Sequence, residues 1–181
     1  TLTRSSAASD VYKRQLIGGV LAVTATWFCP LDGPAAPSLQ LFAVGHGQAA
    51  LLTTPSELQV VIDCGSLQGG ARAARAVTDS LTRRDVDLLV VTHGDADHHN
   101  GLTRLLETSR VARGVAPAVM AGTAVHELLR QHVDHVDLLA RGERLCLDEL
   151  VVYAPRVPAA ASANDQSLWV RAAVGDAEVL L

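Results

Sequence analysis

The sequence predicts an α/β domain. Apolar, β-branched runs of strand length alternate with segments carrying a helical stripe. One of those runs, Val86 to Val91, ends in a loop crowded with His and Asp before the next helix begins. Hydrophobic residues make up 49% of the 181 residues and aromatics only 3%, so one core of Leu, Val and Ala is expected.

Residues 1–15, T-L-T-R-S-S-A-A-S-D-V-Y-K-R-Q, are unlike the rest of the chain. They hold the sole lysine, Lys13, of a chain that otherwise uses Arg, and they resemble a translated sequencing adapter. They are set aside as a non-native prefix. Without Arg4, Asp10, Lys13 and Arg14, basic residues fall from 15 to 12 and acidic ones from 19 to 18, which leaves a formal charge of −6. An acidic domain that handles a polyanion needs metal ions to offset that repulsion.

Residues 16–28, L-I-G-G-V-L-A-V-T-A-T-W-F, are apolar and uncharged. They fall short of the roughly twenty residues of a full span, and the expectation is a truncated transmembrane segment. Residues 29–38, with Pro30, Gly33, Pro34 and Pro37, read as a linker. The domain is expected over residues 39–181.

It opens with a strand from Leu39, a Gly45-His46-Gly47-Gln48 turn, and strands at Ala49–Thr54 and Leu58–Asp63 around a Pro55-Ser56-Glu57 turn. Ala73, Ala76, Val77 and Leu81 give Gly69–Arg83 a helical stripe, and a parallel crossover leads to the strand at Val86. After the His/Asp loop come a helix at Thr103–Thr108, a strand at Val115–Met120 and a helix at Thr123–His132. Next are a strand from Val136, a turn at Arg141-Gly142-Glu143 and a longer strand through Leu150–Tyr153. Ala177–Leu181 begins a last strand, and Gly175-Asp176 reads as the hairpin turn before it.

The chemistry concentrates in Thr92-His93-Gly94-Asp95-Ala96-Asp97-His98-His99. Strand, ligand-dense loop, helix is where open α/β sheets place their sites. His93, Asp95 and Asp97 are spaced by two, and Asp97-His98 sets a carboxylate beside an imidazole. Neutral imidazoles and carboxylates suit Zn, Fe or Mn, and so many donors are enough for two ions. Helix capping accounts for Asp97 or His98 singly, not for the whole set. His132 and His135, at i, i+3, and His126 lack a third donor nearby. Cys29, Cys64 and Cys146 show no C-x-x-C and are expected to act as small apolar residues. No basic patch rich in aromatics marks a dedicated nucleic-acid surface.

T-H-G-D-A-D-H-H-N-G-L resembles the H-x-D-x-D-H signature of metallo-β-lactamase-fold hydrolases, and most of all its variant in the soluble domain of ComEC-type DNA-internalisation proteins. Val60-Val61-Ile62-Asp63-Cys64-Gly65 resembles that family's I-D-x-G strand end, and Asn164-Asp165-Gln166-Ser167-Leu168-Trp169-Val170 its N-x-x-S-x-V. The resemblance implies an αββα sandwich, incomplete at the C-terminal end, and two divalent metal ions, Zn or Mn. His93 and Asp95 would serve one ion, Asp97 and His98 the other. Asp97 would be catalytic, orienting the attacking water, and Asp63 would support a ligand from behind. His46, His99 and Asn164 are further candidates. The family's acidic positions read Ala43 and Gln48 here, and its apolar-His-Pro step reads Tyr153-Ala154-Pro155. The implied function is hydrolysis of a phosphodiester of DNA by a membrane-anchored protein of the bacterial envelope. Nucleic acid is the expected partner, and no protein partner is indicated. The rivals are a degenerate, non-catalytic binding domain and, from Asp97-His98-His99, a DHH-type phosphoesterase.

Overall fold

The structure, a computed structural model, describes residues 36–158, 161–162, 164–174 and 177–181. The prefix at 1–15, the apolar segment at 16–28 and most of the linker lie outside the described residues, as do Gly175 and Asp176. No helix among the described residues is long and apolar enough to cross a membrane.

Ten strands among the described residues form two sheets. The first has six strands in the order β1 (Ser38–Leu41), β2 (Ala49–Thr53), β3 (Gln59–Cys64), β4 (Asp85–Val90), β5 (Arg110–Pro117) and β6 (Val133–Leu139). Its first three strands pair antiparallel, and β3 to β6 run parallel. The second, antiparallel, holds β7 (Arg144–Leu147), β8 (Leu150–Tyr153), β9 (Trp169–Val174) and β10 (Ala177–Leu180). Helices α1 (Gly70–Ser80), α2 (Ala96–His99), α3 (Leu102–Thr108) and α4 (Ala124–His132) connect the strands of the first sheet.

The first sheet is buried on both faces, which is why its central strands read as unbroken apolar runs. Val61, Leu89 and Val91 pack with Ala73, Val77, Leu105 and Leu129 of the helices. Val60, Ile62, Leu88 and Val90 pack with Leu150, Val152 and Val170 of the second sheet. The described residues thus give helices, sheet and sheet in layers, the α/β sandwich expected.

Several elements differ from the sequence expectation for physical reasons. Helix α1 stops at Ser80 rather than Arg83, because Leu81 turns extended and the Thr82 amide and hydroxyl donate to Gln59 Oε1 at 2.7 and 2.9 Å. Strand β5 starts at Arg110, five residues before Val115, and ends in a 3-10 turn over Ala118–Met120. Its charged first half is held across the ladder: Arg110 reaches Asp134 at 2.7 Å and Arg113 reaches Asp137 at 2.6 Å on β6. The long strand expected up to Tyr153 is a hairpin, broken at Asp148, whose φ is 46°. His132 ends α4 while His135 lies in β6 against Asp137, so the two do not share a helix face. Cys29 lies outside the described residues; of the two described cysteines, Cys64 is buried and acts as an apolar filler, while Cys146 is exposed. Burial, then the charge of Asp63, pushes the Cys64 thiol up to about 12, which leaves it inert.

Candidate metal centre

Strands β3 and β4 are parallel neighbours, so their carboxyl ends lie side by side. Asp63 stands at the end of β3 with φ 56°, a conformation Asp tolerates better than most residues. Thr92 and His93 follow β4, and the chain then turns through Gly94 into α2. Gly47 and Gly65 let this turn close. A Cβ on either one would overlap the backbone oxygen of Asp97. The Gln48 amide donates to that same oxygen at 3.1 Å. Asn100 clamps the next residue along, accepting from the Ser66 amide at 3.0 Å and donating to its carbonyl at 2.8 Å.

Asp63, His93 and His98 each bring a potential donor atom within 4.8 Å of the others. The carboxylate of Asp63 is already engaged. It is fully buried. Oδ1 accepts from the Thr92 amide at 2.8 Å, while Oδ2 accepts from the Thr92 hydroxyl at 2.6 Å and faces His98 Nδ1 at 2.7 Å. A carboxylate only accepts, so His98 carries its proton on Nδ1 and leaves the Nε2 lone pair free. The Thr92 hydroxyl spends its hydrogen on Asp63. Toward His93 Nδ1, at 3.0 Å, it can then only accept, so His93 also carries its proton on Nδ1. One buried carboxylate thus sets both tautomers, directly for His98 and through Thr92 for His93.

Both free Nε2 atoms face carboxylates. His93 Nε2 is 3.5 Å from Asp95 Oδ2, and His98 Nε2 is 3.9 Å from Asp97 Oδ2. The two imidazole centroids are 3.9 Å apart. Asp95 occupies the N-cap position of α2 but makes no side-chain cap, so its carboxylate is not spent on the helix. Two imidazole nitrogens and two carboxylates facing one another form a donor set that suits a divalent ion. Burial works to lower the His98 pKa, but the hydrogen bond to Asp63 and the charges of Asp63, Asp97 and Asp95 outweigh it, so it stands above the usual 6.5. Burial, then the neighbouring His98, holds His93 below that value against the pull of the three carboxylates.

The other sequence candidates lie elsewhere. His99 Nε2 is 3.1 Å from the Gly94 carbonyl. His46 is exposed, its amide donates to Gln68 Oε1 at 2.8 Å, and its ring faces the same Gln68. His126 accepts from the Gly122 amide at 3.0 Å. Asn164 sits in a 3-10 turn, where its carbonyl accepts from the Ser167 amide at 3.2 Å. Ala154, at the family's His position, is buried and offers no ligand.

A cavity of about 330 Å³ opens on the centre. Gln48, Thr92, His93 and His98 give its polar side, and Leu168, Trp169, Leu180 and Leu181 its apolar side. The roles of Thr92 and Gln48 were not foreseen from sequence. The signals were the position of Thr92 directly between a buried strand and the first His, and that of Gln48 in place of an acidic residue.

A family model described as "Metallo-beta-lactamase superfamily" matches residues 44–161. The chain belongs to this superfamily. Solved structures agree at the level of fold. The metallo-beta-lactamase fold protein YhfI from Bacillus subtilis superposes with a TM-score of 0.57 at 12% identity, over 79% of this chain and 61% of that one. MEM-A1, a subclass B3 metallo-beta-lactamase from a soil metagenome library, gives 0.52 at 21%, over 80% and 62%. CmlA, a diiron beta-hydroxylase from Streptomyces venezuelae, gives 0.52 at 19%, over 82% and 30%. This metallo-beta-lactamase-fold chain therefore spans less than two thirds of the length of those neighbours. No curated protein sequence matches it significantly. Superfamily membership implies divalent-metal binding. It also removes the DHH-type alternative.

Proposed function

We propose that the full protein is a metal-dependent phosphodiesterase acting on DNA, in a membrane-anchored DNA-uptake protein of the ComEC type. The observation that carries the metal reading is the pair of preset imidazoles, each with Nδ1 engaged and Nε2 turned to a carboxylate. His93 with Asp95 would hold one ion and Asp97 with His98 the other. Asp95 in the second ligand position makes the donor set harder than an all-histidine one, which favours Mn beside Zn. Bound there, the ions would supply Lewis acidity toward a phosphoryl group and activate a water.

The chain's own residues do the rest. Asp63 and Thr92 hold the imidazoles. The Asp97 side chain, 29% exposed, is free to orient the attacking water and take its proton. Gln48 lines the cavity and, unlike an acidic residue, brings no negative charge to it. The degenerate-domain reading draws its support from Ala43, Gln48 and Ala154, which supply neither the acidic side chains nor the imidazole that the resemblance implies.

The deciding experiment incubates the full-length protein with single- and double-stranded DNA in Mn or Zn. Cleavage is the expected result; metal binding without cleavage of either form favours the degenerate domain. A second expectation comes from the two histidines. Metal and proton compete for neutral imidazole. With its pKa raised, His98 takes a proton at a higher pH than His93. In the metal-free protein a pH series of the histidine ring resonances should therefore show His98 titrating above His93, and acid should release Mn, as read by electron paramagnetic resonance.

A further inference from the structure

We infer that Trp169 is the residue by which this centre selects its substrate, as the platform on which a nucleobase of the phosphodiester stacks; this rests on the phosphodiesterase reading above. Trp169 opens β9 between Leu168 and Val170, which are 2% and 0% exposed. Strand alternation therefore turns the indole outward, and it stays 43% exposed. That exposure stands out in a chain with so few aromatics.

The ring is held in place. Tyr153 is its cross-strand partner on β8, with ring centroids 5.7 Å apart and planes tilted by 52°. The preceding Leu168 amide donates to the Thr92 carbonyl at 2.9 Å, which ties the start of β9 to the residue that sets the His93 tautomer. A rigid aromatic at a fixed distance from the reacting centre loses little entropy on binding.

Its location argues for the ligand. Trp169 borders the cavity that carries His93 and His98. It also borders a neighbouring groove of about 620 Å³, with Pro155, Pro158 and Asn164 on its walls. A chain-like ester with its phosphoryl group at the histidines runs from cavity to groove across the indole. Every base has a π-face, so such a platform binds bases without reading sequence. A single aromatic beside the centre does this without the basic, aromatic-rich surface that the sequence lacks.

The test uses full-length, Mn-loaded protein and two substrates of equal length and charge, a short thymidine oligonucleotide and its abasic counterpart. Trp169→Ala should raise KM for the thymidine strand by about tenfold relative to its effect on the abasic strand, with metal content unchanged. Trp169→Phe should retain most of the affinity. Equal loss on both strands, or no change on either, overturns the inference. If wild-type protein cleaves neither strand, the phosphodiesterase reading fails by itself. Equilibrium dialysis of the thymidine strand then decides the stacking: weaker binding to Trp169→Ala supports it, and equal binding to both proteins overturns it.

Discussion

Asp97→Ala is expected to cut phosphodiester turnover by about 10²–10⁴-fold, the range for removing a positioned acid–base group, while leaving the fold intact. The two halves of that expectation come from different atoms. The backbone oxygen of Asp97 does the structural work, accepting from the Gln48 amide and lying against Gly47 and Gly65. Alanine keeps that oxygen. The carboxylate is partly exposed, and its near partner is His98 Nε2 at 3.9 Å. Surface changes of this kind typically move stability by no more than about 0.5 kcal/mol. Thermal unfolding and a single-turnover assay on the same preparation separate the effects. Asp97→Asn keeps shape but not charge and should be almost as inactive. Lost activity together with a collapsed unfolding temperature would assign Asp97 to structure instead.

Asp63→Ala is expected to weaken divalent-metal binding by about 10- to 100-fold, the usual cost of losing the group behind a ligating histidine. It should also destabilise the metal-free domain. Removing the carboxylate leaves the buried Thr92 amide and His98 Nδ1 without their partner, at about 1–3 kcal/mol for each orphaned group. Asp63→Asn should lose metal affinity for a different reason, since an amide nitrogen facing His98 favours the wrong tautomer. Thr92→Val separates the two branches of the network. It removes the relay to His93 and leaves the Asp63–His98 contact in place, so it should impair one metal step only. Calorimetric titration with Mn checks all three variants. Undiminished affinity in Asp63→Ala would show that the histidines need no orientation from behind.

Much of this was legible locally. The runs over β2, β3 and β4 are apolar on both sides, and the stripe of Ala73 and Val77 marked α1, because each signal lies within a few consecutive residues. The His/Asp loop stood out for the same reason. What escaped the sequence depends on partners distant in the chain. The start of β5 at Arg110 is explained by Asp134 and Asp137 on another strand, and the β7–β8 turn by a positive φ at Asp148 rather than a glycine. Thr92 gains its role because parallel pairing brings Asp63 beside it. Asp63 could be placed near the loop from sequence, but its three hydrogen bonds could not. The outward turn of Trp169 follows from strand alternation, yet only the packing of two sheets sets it at the histidine cavity.

The central claim is that Asp63 presets both imidazoles with Nε2 as the metal-binding atom. Nitrogen-15 NMR of the histidine rings, recorded at pH 8 while Zn is added, tests it most directly. The account predicts that His93 and His98 begin with protonated Nδ1, and that Zn shifts their Nε2 resonances while both Nδ1 protons remain. Movement at Nδ1, or no change at either ring, would contradict it.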